Sequence, residues 1–143
     1  MIFPPFEYKV RLYDGQKQIF DIIRGRYVAL TPEEWVRQHL VHYLIEHKSY
    51  PKGFIALERA IEINGLSRRF DLVCYKPNGS VFLLVECKKV GVGLSQSVFD
   101  QAFCYNTQLN ATHIAVTNGD ELICGTLANG KLQLSNELPQ YIK

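Results

Sequence analysis

No apolar run in this 143-residue chain exceeds five residues, Val81 to Val85, whereas a membrane-spanning helix needs about 20. The N-terminal Met1-Ile2-Phe3-Pro4-Pro5 has no basic stretch, and no apolar core of about 7–15 residues follows it, so no secretory leader is expected. Cys-x-x-Cys is absent. The four cysteines, Cys74, Cys87, Cys104 and Cys124, are spaced too widely for a zinc site or a small disulfide framework, and reduced thiols in a cytoplasmic protein are the expectation. Neither sign of charge is in excess. Sixteen Lys and Arg against 14 Asp and Glu leave +2, with a pI near 8.3, short of the value above about 9 that marks a strongly basic nucleic-acid binder. Internal repeats, low-complexity segments and a G-x-x-x-x-G-K-[ST] phosphate loop are also missing, so the sequence carries no nucleotide-driven motor.

What is present is ordinary globular composition, 47% hydrophobic and 21% charged, and a length that predicts one domain over 1–143. Asn-Gly occurs at 64–65, 78–79, 118–119 and 129–130, and between apolar runs this pair is a strong hairpin signal. The first 30 residues are ambiguous between strand and turn. Thr31, Pro32 and Glu34 then form a helix start, with Thr31-x-x-Glu34 a capping box. Val36, Leu40, Tyr43, Leu44 and His47 recur at helical spacing, and the helix should end near Lys48. Strands are expected over 55–63, 67–75 and 80–88. A Gly91/Gly93 loop and a helix over 95–109 follow, then strands over 112–117, 121–127 and 131–134. The order predicts an α/β sandwich: a central mixed β-sheet flanked by helices.

The strand Val81-Phe82-Leu83-Leu84-Val85 is apolar on both faces, as a covered central strand should be. It runs straight into Glu86, Cys87, Lys88 and Lys89. Alternation puts Glu86 and Lys88 on one face with Phe82 and Leu84, and charges at such a place are rare unless paired or bound to a metal. A hairpin centred on Asn78-Gly79 opposes residues whose numbers sum to about 157, which brings Asp71 opposite Glu86 within one residue. Two neighbouring carboxylates repel unless a proton or cation lies between them. Mg²⁺ is often held by one or two carboxylates, and Lys88 would then reach an attacking water or a scissile phosphate.

Asp71, fourteen residues, Glu86, one residue, Lys88 resembles the PD-(D/E)XK nuclease superfamily. Gln101-x-x-x-Tyr105 looks like the Q-x-x-x-Y element of its RecB-like branch. The wider pattern is similar to the N-terminal domain of type I restriction endonuclease R subunits, through Glu34, Arg68-Arg69-x-Asp71, Val85-Glu86-Cys87-Lys88, Gln101-x-x-x-Tyr105 and Thr117-Asn118-Gly119. This resemblance covers about 31–119. It implies a restriction-endonuclease-like fold and Mg²⁺- or Mn²⁺-dependent hydrolysis of DNA. Asp71 and Glu86 would be metal ligands, with the Cys87 carbonyl a third and Glu34 completing the site. Lys88 would be the catalytic lysine, and Gln101 and Tyr105 would orient Lys88 or contact DNA. Phe70 stands where the superfamily name has proline, and the missing phosphate loop separates this chain from a motor-driven R subunit.

Plainer readings stand beside these. The capping box explains Glu34 without any metal, and core packing explains Tyr105. Glu58 and Glu62 share the polar face of their strand, where solvation is the preferred reading. Arg68, Arg69 and Lys89 are either phosphate contacts or an ordinary charged sheet edge. His39, His42, His47 and His113 make no metal spacing with any placed acid. Three functions therefore compete: an autonomous nuclease, a nuclease subunit active only with restriction-modification or helicase partners, and a non-catalytic module that binds nucleic acid or protein. A homodimer is one way for so small a domain to cut two strands.

Overall fold

The computed structural model describes residues 1–63, 65–97, 99–100 and 110–142. Strands β1 (Val10–Tyr13), β2 (Gln16–Asp21) and β3 (Arg26–Ala29) form an antiparallel sheet in that order. Its first turn is Asp14-Gly15, both at positive φ (51° and 79°), the two-residue hairpin geometry that Asp-Gly favours. This settles the ambiguous N-terminal stretch.

Helix α1 (Pro32–His47) begins at Thr31, whose side chain accepts from the Glu34 N–H at 3.0 Å, and ends at Lys48. Only half of the capping box forms. Thr31 N–H donates to the Ala29 carbonyl, which leaves the Glu34 carboxylate for other partners. The helix is buried nearly all round, including Arg37, Gln38, His39 and His42, because it lies between two layers. Val36, Leu40, Val41 and Leu44 enter the main core. On the far side Phe6 packs on Trp35, His39 and His42.

A six-stranded sheet follows, ordered β4 (Ile55–Ile63), β5 (Leu66–Tyr75), β6 (Val81–Cys87), β7 (His113–Thr117), β8 (Leu122–Ala128) and β9 (Lys131–Ser135). All neighbours are antiparallel except β6 and β7, so the sheet is mixed as expected. The parallel pair demands a crossover, supplied by the chain between 88 and 112. Residues 96, 97, 99 and 100 of that crossover are helical. The remainder of the helix expected over 95–109, with Gln101, Cys104 and Tyr105, lies outside the described residues, as does Asn64.

The two faces of the sheet hold separate cores. Leu72, Cys74, Leu83, Val85 and Cys87 pack with α1. Phe70, Val73, Leu84, Ile114, Val116 and Phe99 pack on the opposite face. Cys74 opposes Leu83 while Tyr75 opposes Val81, so Phe82 is the extra residue of a bulge. Phe82 therefore joins Leu83 on the α1 side. The expectation that Phe82 shares a face with Leu84 and Glu86 is corrected by that one residue.

Candidate active site

The β5–β6 ladder runs from Cys74↔Leu83 to Leu72↔Val85, pairs that sum to 157 as the hairpin arithmetic requires. The next pair in sequence is Asp71 and Glu86, and there the ladder stops. β6 continues with β7 through Glu86↔Val116 and Cys87↔Thr117, whereas β5 continues with β4 through Arg59↔Phe70. The sheet thus forks between Asp71 and Glu86. In place of a backbone acceptor from β5, Asp71 Oδ2 accepts the Cys87 N–H at 2.8 Å.

The fork coincides with a break in β4–β5. Leu57↔Leu72 and Arg59↔Phe70 are paired, but Glu58 and Asp71 between them are not. Glu58 has φ 50°, uncommon for a residue other than glycine. Across the break β5 exchanges faces: Leu72 belongs to the α1 core and Phe70 to the opposite one. Backbone strain of this kind is often held at functional sites.

Glu86 lies beyond Leu84 on β6 with its side chain 15% exposed. Burial first, and Asp71 second, push its carboxyl up to about 7, against the opposing pull of Arg68 and Lys88. Arg68 Nη2 approaches Glu86 Oε2 at 4.0 Å. Oε1 of Glu86 is buried with no hydrogen-bond partner among the described residues. Lys88 follows β6, half-buried, its N–H held by the Thr117 carbonyl at 2.8 Å.

Asn118 braces the loop after Lys88. It is 2% exposed. Its Nδ2 donates to the Val92 carbonyl at 2.7 Å, and its Oδ1 accepts from Asp120 N and Glu121 N. The Thr117-Asn118-Gly119 element therefore tethers the Lys88–Val92 loop to the end of β7.

Glu34 lies in a different arrangement from the one expected. Its Oε1 accepts from Arg24 Nη2 at 2.7 Å and Arg37 Nη1 at 2.9 Å, and its Oε2 from Gln38 Nε2 at 3.1 Å. Arg37 Nη2 then donates to Asp71 Oδ1 at 2.8 Å. Among the described residues, Glu34 is joined to Asp71 through Arg37. Glu58 is not simply solvated: its Oε2 accepts from Arg24 Nη1 at 3.0 Å, and Arg37 stands 3.6 Å from its Oε1. Arg24 enters from the β2–β3 turn, where the fully buried Asp21 accepts from Ile23 N and pairs with Arg24 Nε.

Sequence reasoning did not single out Arg24, Arg37, Asp21 or Gln38. Arg37 and Gln38 could have been found, since they follow Glu34 by three and four residues and share its helix face. Arg24 carries no local signal.

A metal fits this set in part. Asp71 and Glu86, one with a buried and unpartnered oxygen, suit a hard cation that keeps most of its waters. Glu34 suits it less well than Asp71, because Glu34 accepts three bonds, two of them from arginines on Oε1, whereas each Asp71 oxygen accepts one and keeps a lone pair. Among the described residues no three His, Cys, Asp or Glu side chains gather as a metal site by themselves. No helix is long and apolar enough to cross a membrane among those residues.

Two solved structures resemble the fold. A fragment assigned as an HsdR subunit of a type I restriction enzyme from Vibrio vulnificus YJ016 superposes with a TM-score of 0.58 at 20% identity, over 79% of this chain and 24% of that one. A DUF820 protein from Anabaena variabilis ATCC 29413, assigned as a nuclease, gives 0.51 at 10% identity over 94% and 80%. At such identities the likeness establishes the fold, a restriction-endonuclease-like α/β domain, and this chain spans about a quarter of the HsdR fragment. No curated protein matches the sequence significantly. Residues 32–139, most of the chain, match the family model described as "Type I restriction enzyme R protein N terminus", and the chain belongs to that family.

Proposed function

We propose that residues 1–143 form one nuclease domain that hydrolyses DNA phosphodiester bonds with Mg²⁺ or Mn²⁺. The observation that carries this reading is the buried, unpartnered Oε1 of Glu86 beside Asp71 at the β5–β6 fork. A buried acid with an unmet oxygen and a second carboxylate for a neighbour costs stability unless a cation or proton joins them. Asp71 and Glu86 would hold the cation, with the Cys87 carbonyl as a third donor. A bound divalent cation supplies water activation and neutralisation of phosphate charge.

The chain's own groups do the rest. Arg37 holds one Asp71 oxygen and the Cys87 N–H holds the other, which fixes the carboxylate's plane. Lys88, whose charge pulls against the raised Glu86 carboxyl, would orient the water or meet the phosphate. Gln101 and Tyr105 keep their proposed role of orienting Lys88 or touching DNA. Glu34 enters as the anchor of Arg37.

The test is calorimetric titration of Mg²⁺ and Mn²⁺ into the wild type and Asp71→Ala/Glu86→Ala, with plasmid and single-stranded DNA cleavage read in parallel. Metal binding and cleavage lost together in the double variant is the expected result. Wild type that binds no metal at millimolar ion sinks the catalytic reading.

A second reading is a subunit that cuts only when docked on restriction-modification or helicase proteins. It is favoured by the family that residues 32–139 match, described as the N terminus of a type I restriction enzyme R protein. Metal binding without cleavage by the purified chain, restored by such partners, would select it.

A further inference from the structure

Asp71 stands where the backbone supports it least. The β4–β5 ladder skips it between Leu57↔Leu72 and Arg59↔Phe70, and the β5–β6 ladder ends at Leu72↔Val85. A strand residue is ordinarily oriented by the cross-strand pairs on either side of it. Asp71 is held instead through its side chain, by the Cys87 N–H on Oδ2 and by Arg37 Nη2 on Oδ1, each at 2.8 Å. Whatever fixes Arg37 therefore bears on where the Asp71 carboxylate points.

The Nε of Arg37 is buried with no hydrogen-bond partner among the described residues. Its guanidinium is set by its two ends, Asp71 at Nη2 and Glu34 at Nη1, the latter at 2.9 Å; Glu58 Oε1 stands further off, 3.6 Å from Nη1. An arginine loses much rotamer freedom when it is ordered, so its partners must themselves be held. Glu34 accepts from Gln38 on Oε2 at 3.1 Å and from Arg24 Nη2 on Oε1 at 2.7 Å. Gln38 and Arg37 lie on α1 with Glu34. Among the described residues, Arg24 is the side chain that ties Glu34 to a different element.

Arg24 comes from the β2–β3 turn, ahead of the matched family segment 32–139. Asp21 closes that turn. Its Oδ1 accepts from Ile23 N at 2.8 Å and from Arg24 N at 3.3 Å, and its carbonyl accepts from Gly25 N at 2.8 Å. Gly25 takes φ 69°, which glycine adopts without steric cost. Asp21 is fully buried, so the turn offers Arg24 from a fixed base. Each nitrogen of its guanidinium then meets a different carboxylate: Nε that of Asp21 on β2, Nη1 that of Glu58 on β4 at 3.0 Å, and Nη2 that of Glu34 on α1. A planar guanidinium can span three acids in this way, and a compact ammonium cannot. Arg24 and Arg37 together serve Asp21, Glu34, Glu58 and Asp71. The cluster thus keeps a negative surplus, which does not repel a cation from Asp71.

We propose that Arg24 is a positioning residue for Asp71: through Glu34 and Arg37, the N-terminal sheet orients the carboxylate that stands beside Glu86. The proposal deepens the nuclease reading and rests on it for what Asp71 holds. The relay also has a readout that needs no metal, because the Cys87 N–H is the other bond of the same carboxylate.

The variants are Arg24→Lys, which keeps the charge and loses the fork, and the pair Asp21→Asn/Arg24→Gln, which removes both charges of the turn and leaves no buried acid alone there. Tyr50→Phe is the control. It deletes the bond from the Tyr50 hydroxyl to the Pro139 carbonyl at 2.8 Å and destabilises the chain without touching the relay. Two quantities are measured on the full chain: amide hydrogen exchange of Cys87 against the rest of β6, in EDTA by NMR, and Mn²⁺ affinity by calorimetry. Both Arg24 variants should speed Cys87 exchange by about tenfold while the rest of β6 changes less. Both should weaken Mn²⁺ binding by roughly tenfold, the scale of losing a group that orients a metal ligand. Tyr50→Phe should move the β6 amides together and leave Mn²⁺ affinity at the wild-type value. Either quantity unchanged in both Arg24 variants overturns the relay and leaves the nuclease reading intact. Cys87 exchange that only keeps step with the rest of β6 makes Arg24 a stabilising residue and overturns the relay as well. Wild type that binds no Mn²⁺ ends the nuclease reading, and the Cys87 signal alone then decides whether Arg24 reaches Asp71.

Discussion

Replacing Glu86 by glutamine should abolish a pH dependence of stability that the wild type carries. Moving a carboxyl from its ordinary 4.5 to about 7 corresponds to roughly 3 kcal/mol. The sign follows from proton linkage. Between pH 4.5 and 7 the folded chain keeps a proton on Glu86 that the unfolded chain has released, so stability falls as pH rises through that window. Below it the wild type and Glu86→Gln should be similar. Above it the variant should be more stable by up to about 3 kcal/mol, less about 1 kcal/mol if the buried amide lacks a partner. Urea unfolding of both proteins in EDTA at pH 5, 6, 7 and 8 measures the difference. A gap between them that is the same at pH 5 and pH 8 would refute the reasoning, because the cost of the buried charge would then be absent. Mg²⁺ extends the measurement. At about 100 times its Kd a ligand of the folded state adds roughly 2.7 kcal/mol, a gain expected for the wild type at pH 8 and not for the variant.

Arg37→Leu should destabilise the fold by roughly 3–5 kcal/mol, since it leaves the buried Glu34 with Arg24 as its one cation beside Gln38 and strips one oxygen of Asp71; urea midpoints test this, and a loss below about 1 kcal/mol would mean the network is slack. Thr31→Ala removes the N-cap bond of α1 and should cost about 1 kcal/mol, with Thr31→Ser close to neutral, read by thermal melts. Asn118→Ala removes the tie to Val92. It should raise amide hydrogen exchange across Lys89–Val92 more than across α1, and lower cleavage more than metal affinity. Uniform exchange across both segments would refute Asn118 as the brace of that loop.

The arginine network bears on both readings of function. Five charged side chains, Asp21, Arg24, Glu34, Arg37 and Glu58, meet around the N-terminus of α1, and Arg37 carries the network on to Asp71. Breaking one member of such a set is costly because the remaining charges stay buried. The β1–β3 sheet is thus fastened to the six-stranded sheet at the acid cluster itself, through Arg24. Changes in the N-terminal sheet should reach Asp71 by way of Glu34 and Arg37.

By itself the sequence determined the parts whose cause is local. Thr31, Pro32 and Lys48 bounded α1, because capping and proline chemistry act within a turn. Asn78-Gly79 and the apolar run before Glu86 were sufficient to bring Asp71 beside Glu86 at the end of the ladder, because hairpin register propagates from the turn. Asp14-Gly15 carried the same kind of signal, and reading Asn-Gly alone passed over it. Only the tertiary structure decided the rest. The bulge at Phe82 and the left-handed backbone of Glu58 answer to packing on both faces of the sheet, so neither is written in strand alternation. One partner of Glu34 is Arg24, ten residues away in the β2–β3 turn, and the exposed Glu58 is paired with the same arginine. The perturbed carboxyl of Glu86 depends on a fork between strands, and a fork exists only once three strands have chosen their neighbours.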